Sequence, residues 1–166
     1  MKKRIGFLVW FSVLLTGCLQ VYYPFNSYDQ TGFGDIRLTE STFRITFKGK
    51  VDTPKEVVEE LALLRAAEVA LEQEGPWFVV LNTEILDEPI YKRNPEKIST
   101  EMKRSDSTLT RIQTAEPGYL EIRHQYHAIL MISIHKTKPD QAAFVAEYLV
   151  DSIRKKYGIK TKSAVD

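Results

Sequence analysis

The chain has 166 residues, with 23 Lys or Arg, 22 Asp or Glu and a formal net charge of +1 at pH 7. This length suits one domain with a single modest core, and the near-neutral balance lacks the basic footprint of a nucleic-acid-binding protein. The only cysteine is Cys18, so neither an intrachain disulfide nor a thiolate metal cluster can form. We therefore expect one domain, no nucleic-acid partner and no cofactor.

Residues 1–17 have the organisation of a secretory signal peptide. Residues 2–4 are basic, and an apolar run follows from Ile5 to Leu15, which is shorter than the roughly 20 residues of a membrane-spanning helix. The run ends in Leu15-Thr16-Gly17-Cys18. Small residues give a peptidase access to the bond before the cysteine, and the sulfur then lies at the membrane surface.

This ending resembles the lipobox of bacterial lipoproteins. The resemblance implies cleavage between Gly17 and Cys18, an S-diacylglyceryl group on Cys18 and acylation of its new amino terminus by a fatty acid such as palmitate. Several acyl chains hold a protein on a bilayer durably, whereas one chain binds only marginally. Leu19 stands where an aspartate would favour the inner membrane, so the resemblance implies an outer-membrane lipoprotein facing the periplasm. The alternative is a secreted or uncleaved protein with an incidental cysteine.

Residues 18–32 are predicted to form an aromatic-rich tether before the domain. Its aromatic residues are Tyr22, Tyr23, Phe25 and Tyr28. Free linkers are normally polar, so two interpretations stay open: the segment docks along the surface of its own domain, or it forms a disordered tether or a contact to a partner. The glycines of Gly32-Phe33-Gly34-Asp35 then predict a turn.

Residues 42–48 alternate between apolar and polar side chains, which predicts a half-buried strand. After it, Thr53, Pro54 and Glu56 predict the start of a helix with a capping box. The helix should end at Gly75-Pro76, and Trp77 to Leu81 has the composition of a strand buried on both faces.

Glu68 falls on the apolar stripe of this helix, where an isolated charge would be costly. The stripe consists of Val57, Leu61, Leu64 and Leu71. Arg65 lies one helical turn earlier and can pair with Glu68. The pair is interpreted as a structural link to a strand or to the aromatic N-terminal segment; the alternative is a proton-active or ligand-binding acid.

A second resemblance is carried by Phe43, Phe47 and Gly49 together with Arg65-Ala66-Ala67-Glu68, after a Tyr-rich start and the Gly-Phe-Gly-Asp stretch. This pattern resembles a family of small proteobacterial lipoproteins of uncharacterised function. Lys50 replaces the asparagine usual in that family. The resemblance implies a small lipoprotein and supplies no catalytic residues.

The second half of the chain begins with residues 82–106, which carry charges of both signs with little periodicity and predict a long solvated loop. A Thr-rich strand over 107–114 and a turn at Glu116-Pro117-Gly118 follow. Residues 118–136 are extended, but a strand of roughly 60 Å exceeds a globule of this size. We therefore expect a break or bend near His124 to His127, with Ala128 to Ile134 as a central strand.

Three histidines, His124, His127 and His135, raise the question of a metal site. His124 and His127 lie an odd number of residues apart and would face opposite sides of a strand. Neither a His-Glu-x-x-His motif nor a similar cluster occurs, so no metal site is expected. His124 is predicted to lie on the core face with a hydrogen-bond partner.

Lys138-Pro139-Asp140 predicts the start of a last helix, which should end at Gly158 after a basic last turn. Its buried stripe is expected to consist of Ala142, Val145, Leu149 and Ile153. Residues 159–166 are predicted to form a flexible tail, which leaves 33–158 as the domain.

Together these elements predict an α+β fold: an antiparallel or mixed sheet of about four to five strands with both helices on one face. The expected order is βαβ, a long loop, two or three strands, and a helix. The expected function is a non-enzymatic binding or assembly module, anchored in the membrane by lipid, with an envelope protein as partner. The alternatives are a binder of a small or lipidic ligand and a hydrolase that uses Glu68 with His124 or Asp35.

Overall fold

The computed structural model describes residues 22–160, with the side chain of Thr108 left aside. The predicted signal peptide, which ends at Gly17, lies outside the described residues. So do Cys18 and residues 19–21 of the predicted tether, and residues 161–166 of the predicted tail. The elements in chain order are β1 (Gly32–Arg37), β2 (Thr42–Lys48), α1 (Lys55–Glu72), β3 (Trp77–Asn94), β4 (Lys97–Ser105), β5 (Thr108–Glu116), β6 (Tyr119–His135), β7 (Phe144–Val145) and α2 (Ala146–Tyr157).

Five strands form one sheet in the order β1-β2-β6-β3-β7, and β4 pairs with β5 separately. Every pairing in the main sheet is antiparallel. Because β2 and β3 both run opposite to β6, they run parallel to each other, and α1 crosses over between them. The predicted α+β fold with helices packed on the sheet is confirmed, and β2 has the predicted bounds.

The core lies between one face of this sheet and α1. In the register of β2 with β6, Phe43 faces Ile132 and Phe47 faces Ala128. All four side chains are buried, as are Leu61 and other residues along α1. Helix α2 packs against α1 and adds Ala146, Val150 and Ile153 to the same core.

The start of α1 differs from the prediction. Pro54 is the N-cap residue, with no side-chain hydrogen bond to the helix, so the predicted capping box of Thr53 and Glu56 is wrong. The reason is a turn in which the Thr53 amide donates to the Lys50 carbonyl. The helix ends close to the predicted stop, with Glu74 in the left-handed region.

Helix α2 begins at Ala146, later than the predicted start at Lys138. The preceding pair, Phe144–Val145, forms β7 against Trp77–Phe78 instead. The free edge of β3 therefore pairs with residues whose sequence pattern also suits a helix. Val145, predicted to be buried, is exposed.

The predicted end of α2 is confirmed. Gly158 has φ 62° and its backbone amide donates to Arg154, which is the conformation that favours glycine at a helix end. Ile159, the first residue of the predicted tail, packs against the core.

The predicted turn at Gly32 to Asp35 is strand β1. The turn lies earlier, at residues 27–30, because Asn26 and Thr31 form a β-bridge around it. Gly32 has φ 108°, and a Cβ there would lie 2.7 Å from the carbonyl oxygen of Pro24. Only glycine allows this close approach between the N-terminal segment and β1.

Residues 82–106 are not a loop. Strand β3 continues through a bulge near Leu81 to Asn94, paired with an uninterrupted β6, and β4 and β5 form a hairpin beyond it. Of the break or bend predicted near His124 to His127, the break is wrong: β6 is continuous there, because it extends beyond the globular body instead of ending inside it. We call the projecting part, residues 87–126, the arm.

The arm has two segments of roughly 25 to 30 Å each at about 3.3 Å per residue. The first is a two-stranded ribbon of 87–94 with 119–126, and the second is the β4–β5 hairpin. They join through residues 95–96 and 117–118. A Cβ on Gly118 would lie 2.8 Å from the Asn94 carbonyl oxygen, so the joint requires glycine at this position.

Pro89 lies within the ribbon opposite His124. The His124 carbonyl accepts a hydrogen bond from the Asp52 amide on the side of β6 away from β3. The pair of Pro89 and His124 is therefore a non-hydrogen-bonded pair of the antiparallel ladder. The nitrogen of Pro89 points to the outer edge of β3, where a strand tolerates proline.

Replacement of Leu64, which is fully buried, tests the core. We expect Leu64→Ala to lower the free energy of unfolding by about 3 kcal/mol, because it removes buried methyl groups and leaves a cavity. The matched control is Leu81→Ala at the exposed bulge, with an expected change within about 0.5 kcal/mol. Urea unfolding measures both, and equal effects would contradict the assigned core.

Candidate functional site

The predicted pair of Arg65 and Glu68 lies at the meeting point of α1, α2 and the N-terminal segment. Arg65 Nη1 is 3.3 Å from Glu68 Oε2. The same oxygen accepts a hydrogen bond from the Tyr22 hydroxyl at 2.5 Å, and Oε1 accepts one from Arg154 Nη2 at 2.8 Å. The Glu68 side chain is only 10% exposed, and donors of its own chain engage both oxygens.

Arg65 extends this cluster to the sheet. It donates to Asp35 on β1 at 3.0 Å and to Glu72 at 2.8 Å, and its guanidinium carbon lies 5.0 Å from the centroid of the Phe33 ring. Burial lowers the pKa of Arg65, but the hydrogen bonds to Glu72 and Asp35 outweigh it and raise that pKa above its ordinary value. Arg65 therefore remains charged and joins α1 to β1.

The N-terminal segment docks on this cluster. The Tyr22 ring stacks on Phe33 with centroids 4.5 Å apart, Tyr23 Oη hydrogen-bonds with Thr31 Oγ1, and the Phe25 amide donates to the Phe33 carbonyl at 2.7 Å. From Tyr22 onward, the structure thus has the first of the two predicted arrangements of the aromatic segment.

This arrangement has a structural role, because it links the N-terminal segment to α1 and α2. The carboxylate of Glu68 accepts hydrogen bonds from Arg65, Arg154 and the Tyr22 hydroxyl, so three of its roughly four lone-pair sites are already used. We call the set of Tyr22, Asp35, Arg65, Glu68 and Arg154 the anchor cluster, because it fixes the segment that leads back to Cys18.

Removal of the Glu68 carboxylate tests the anchor cluster. We expect Glu68→Ala to lower the free energy of unfolding by about 3 kcal/mol, because it leaves two largely buried arginines without their shared partner. Glu72→Ala is the matched control: it also removes a partner of Arg65, but Glu72 is 53% exposed, and we expect less than about 1 kcal/mol. Urea unfolding distinguishes the two, and a small effect of Glu68→Ala would show that the contacts add little.

The hydroxyl of Tyr22 predicts a dependence on pH. Burial, followed by the charge and hydrogen bond of Glu68, raises the pKa of Tyr22 above 10.0. A group with a raised pKa in the folded state stabilises fully below its unfolded pKa and loses this contribution as pH rises. We expect wild type to exceed Tyr22→Phe by about 2 kcal/mol at pH 8, with the difference shrinking above about pH 10.

Urea midpoints across this pH range provide the measurement. Tyr28→Phe is the control, because Tyr28 is 96% exposed and its replacement should change stability at neither pH. A wild-type advantage that stays constant up to pH 11 would contradict the assigned role of the hydroxyl.

His124 lies elsewhere, on the arm. It is exposed, contrary to the predicted core-face position, and its Nδ1 is 3.0 Å from Asp87. Among the described residues, no hydrogen bond joins His124 to Glu68, whereas Asp35 and Glu68 both pair with Arg65. Of the predicted hydrolase alternative, the structure therefore separates His124 from Glu68 and links Asp35 to Glu68 through Arg65. Within 22–160, no group of three His, Cys, Asp or Glu side chains is arranged to hold a metal ion.

A second surface, on the arm, escaped prediction as a site. In the sheet, Ala128, Leu130, Ile132 and Ile134 of β6 face the core, and the same alternation continues outward. We call the outward residues the apolar strip: Pro89, Tyr91, Leu120, Ile122 and Tyr126. Tyr126, at the inner end, packs against the core, whereas Tyr91, Leu120 and Ile122 are 63%, 58% and 54% exposed. The sequence signal that could have indicated this surface is the alternation of apolar residues along β6, which continues beyond the length of the core.

Comparison of the chain with protein-family models, with characterised proteins and with solved structures finds no match.

Proposed function

We propose that this protein is a lipid-anchored, non-enzymatic binding or assembly module at the periplasmic face of the outer membrane. The proposed anchor is Cys18, and the proposed binding surface is the arm. One observation carries the binding role: Tyr91, Leu120 and Ile122 stay exposed where the ribbon extends beyond the core. Contiguous exposed apolar surface is the usual mark of an interaction site.

The anchor is supported by the sequence from Lys2 to Cys18, whose charged tip, apolar run and Leu15-Thr16-Gly17-Cys18 ending resemble those of lipoproteins. The resemblance of the Arg65 to Glu68 motif to small proteobacterial lipoproteins agrees with it. Among residues 22–160, no helix is both long enough and apolar enough to span a bilayer.

The docked N-terminal segment shortens the connection between anchor and domain. Tyr22 is held by Glu68, so only the residues between Cys18 and Tyr22 separate the proposed lipid from the folded body. At about 3.5 Å per residue, this distance is at most about 14 Å. The body would therefore sit against the head groups, with the arm available to a partner in the same envelope.

Replacement of Cys18 tests the anchor. We expect the wild-type protein to incorporate a labelled fatty acid and to fractionate with outer membranes, and Cys18→Ser to lose the label completely, because only the thiol forms the thioether. Thr16→Ser is the matched control, since it keeps a small residue at the cleavage site and should retain the label. Unlabelled wild-type protein, or Cys18→Ser that remains labelled, would refute the anchor.

A further inference from the structure

The apolar strip lies on one face of the ribbon, with His124 between Ile122 and Tyr126 on the same face, and opposite charges flank it. On β3, Asp87 lies at the end near the body and Arg93 at the far end, each three residues from Ile90. In register with them on β6 are Tyr126 and Leu120. Asp87 and Arg93 point to the same face as the strip because they share its parity.

The opposite face of the ribbon already has its own partners. Arg123 donates to Asp52 at 2.6 Å, Asn94 donates to Glu121 at 3.2 Å, and Lys48 pairs with Glu88 at 2.6 Å. The charged groups named here are therefore paired within the chain, although Ile90 and Tyr119 are exposed on the same face. On the strip face, Tyr126 packs against the core and the outer side chains remain exposed. An isolated two-stranded ribbon is marginally stable in water, so a cover on the strip would stabilise the arm.

The charges at the two ends match each other under a two-fold rotation. The two-fold axis lies midway between two stacked ribbons, level with the pair of Ile90 and Arg123. It runs perpendicular to the strands and parallel to the face, and so places β3 of one copy antiparallel over β3 of the other. Arg93 of each copy then faces Asp87 of the other, and Tyr91 faces Pro89. Face-packed sheets lie about 10 Å apart, a gap that arginine and aspartate side chains bridge together.

The other two-fold arrangement is less favourable. An axis along the arm would set β3 over β6 and place Arg93 opposite Leu120, with Asp87 opposite Tyr126. Both charges would then be covered without a partner, at a cost in free energy. Asp87 contacts His124 within its own chain, but its side chain is 46% exposed and has room for a second donor.

We propose that the arm binds the arm of a second copy of this chain, apolar strip against apolar strip, with Arg93 of each copy paired to Asp87 of the other. The inference rests on the proposed function as a binding module and names its partner. The contact is smaller than the roughly 20 to 30 residues a side of a standard interface, so it is weak in dilute solution. Confinement of both copies to one membrane raises their effective concentration.

Charge reversal tests this register. Asp87→Arg makes both ends of the strip positive, and Arg93→Glu makes both ends negative, so each variant repels itself and should pair at least about tenfold less than wild type. Mixed together, the two variants restore both contacts between unlike chains. Two differently tagged full-length chains are coexpressed, one of them carries a photoreactive phenylalanine analogue at position 91, and crosslinks between the tags are quantified in intact cells.

The inference predicts crosslinks for wild type with itself, loss for each variant with itself and recovery for Asp87→Arg with Arg93→Glu. Recovery also shows that both variants fold. Lys92→Glu, on the paired face of the ribbon, is the matched control and should crosslink like wild type. Absence of wild-type crosslinks between copies, undiminished crosslinks of either variant with itself, or failure of the mixed pair to recover would each overturn the inference.

Failure of this inference is separable from failure of the proposed function. A crosslink from position 91 only to a different polypeptide overturns the second copy as partner and leaves the binding role intact. The fatty-acid label on Cys18 reports on the anchor independently of any crosslink.

Discussion

The alternation of apolar side chains along β6 is the constraint on which the rest of the structure depends. Within the sheet it supplies the central row of the core, between β2 and β3, and α1 packs on it. The same alternation continues past the end of β2, where neither helix reaches. One strand therefore builds both the stable body and the open face of the arm, because side-chain direction in a strand repeats every second residue regardless of what covers it.

Glu68, in contrast, holds elements of the folded body together. Its carboxylate gathers the N-terminal segment, α1 and α2 at one point. A nearly buried carboxylate is tolerated only with such partners. From Tyr22, a continuous series of contacts therefore leads through the anchor cluster and the sheet to the ribbon.

Local signals predicted the parts of the fold that depend on one buried face. Residues 42–48 alternate because only one side of β2 meets the core, and Gly158 ends α2 because a left-handed residue is needed there. The contact of Arg65 with Glu68 follows from helix geometry alone. In contrast, Arg154 is 86 residues away from Glu68 in sequence, and nothing local relates the two.

The outer half of β3 and strand β4 could not be predicted for a related reason, whereas the strand predicted over 107–114 corresponds to β5. Water contacts both faces of the β4–β5 hairpin, so burial imposes no alternation on residues 97–105, and their mixed charges resemble those of a loop. The start of α2 was missed because tertiary context prevailed over helix propensity: the edge of β3 took up Phe144 and Val145. Both errors concern sheet edges, whose pairing depends on residues distant in sequence.

Pro89 has a consequence for how the ribbon behaves among many copies of itself. An unpaired strand edge is a template on which further strands can add and polymerise. Proline offers no amide hydrogen on the outer edge of β3, so a third strand cannot form an unbroken ladder there. The ribbon can thus expose an apolar face among many copies of the chain, while the outer edge of β3 resists the addition of further strands.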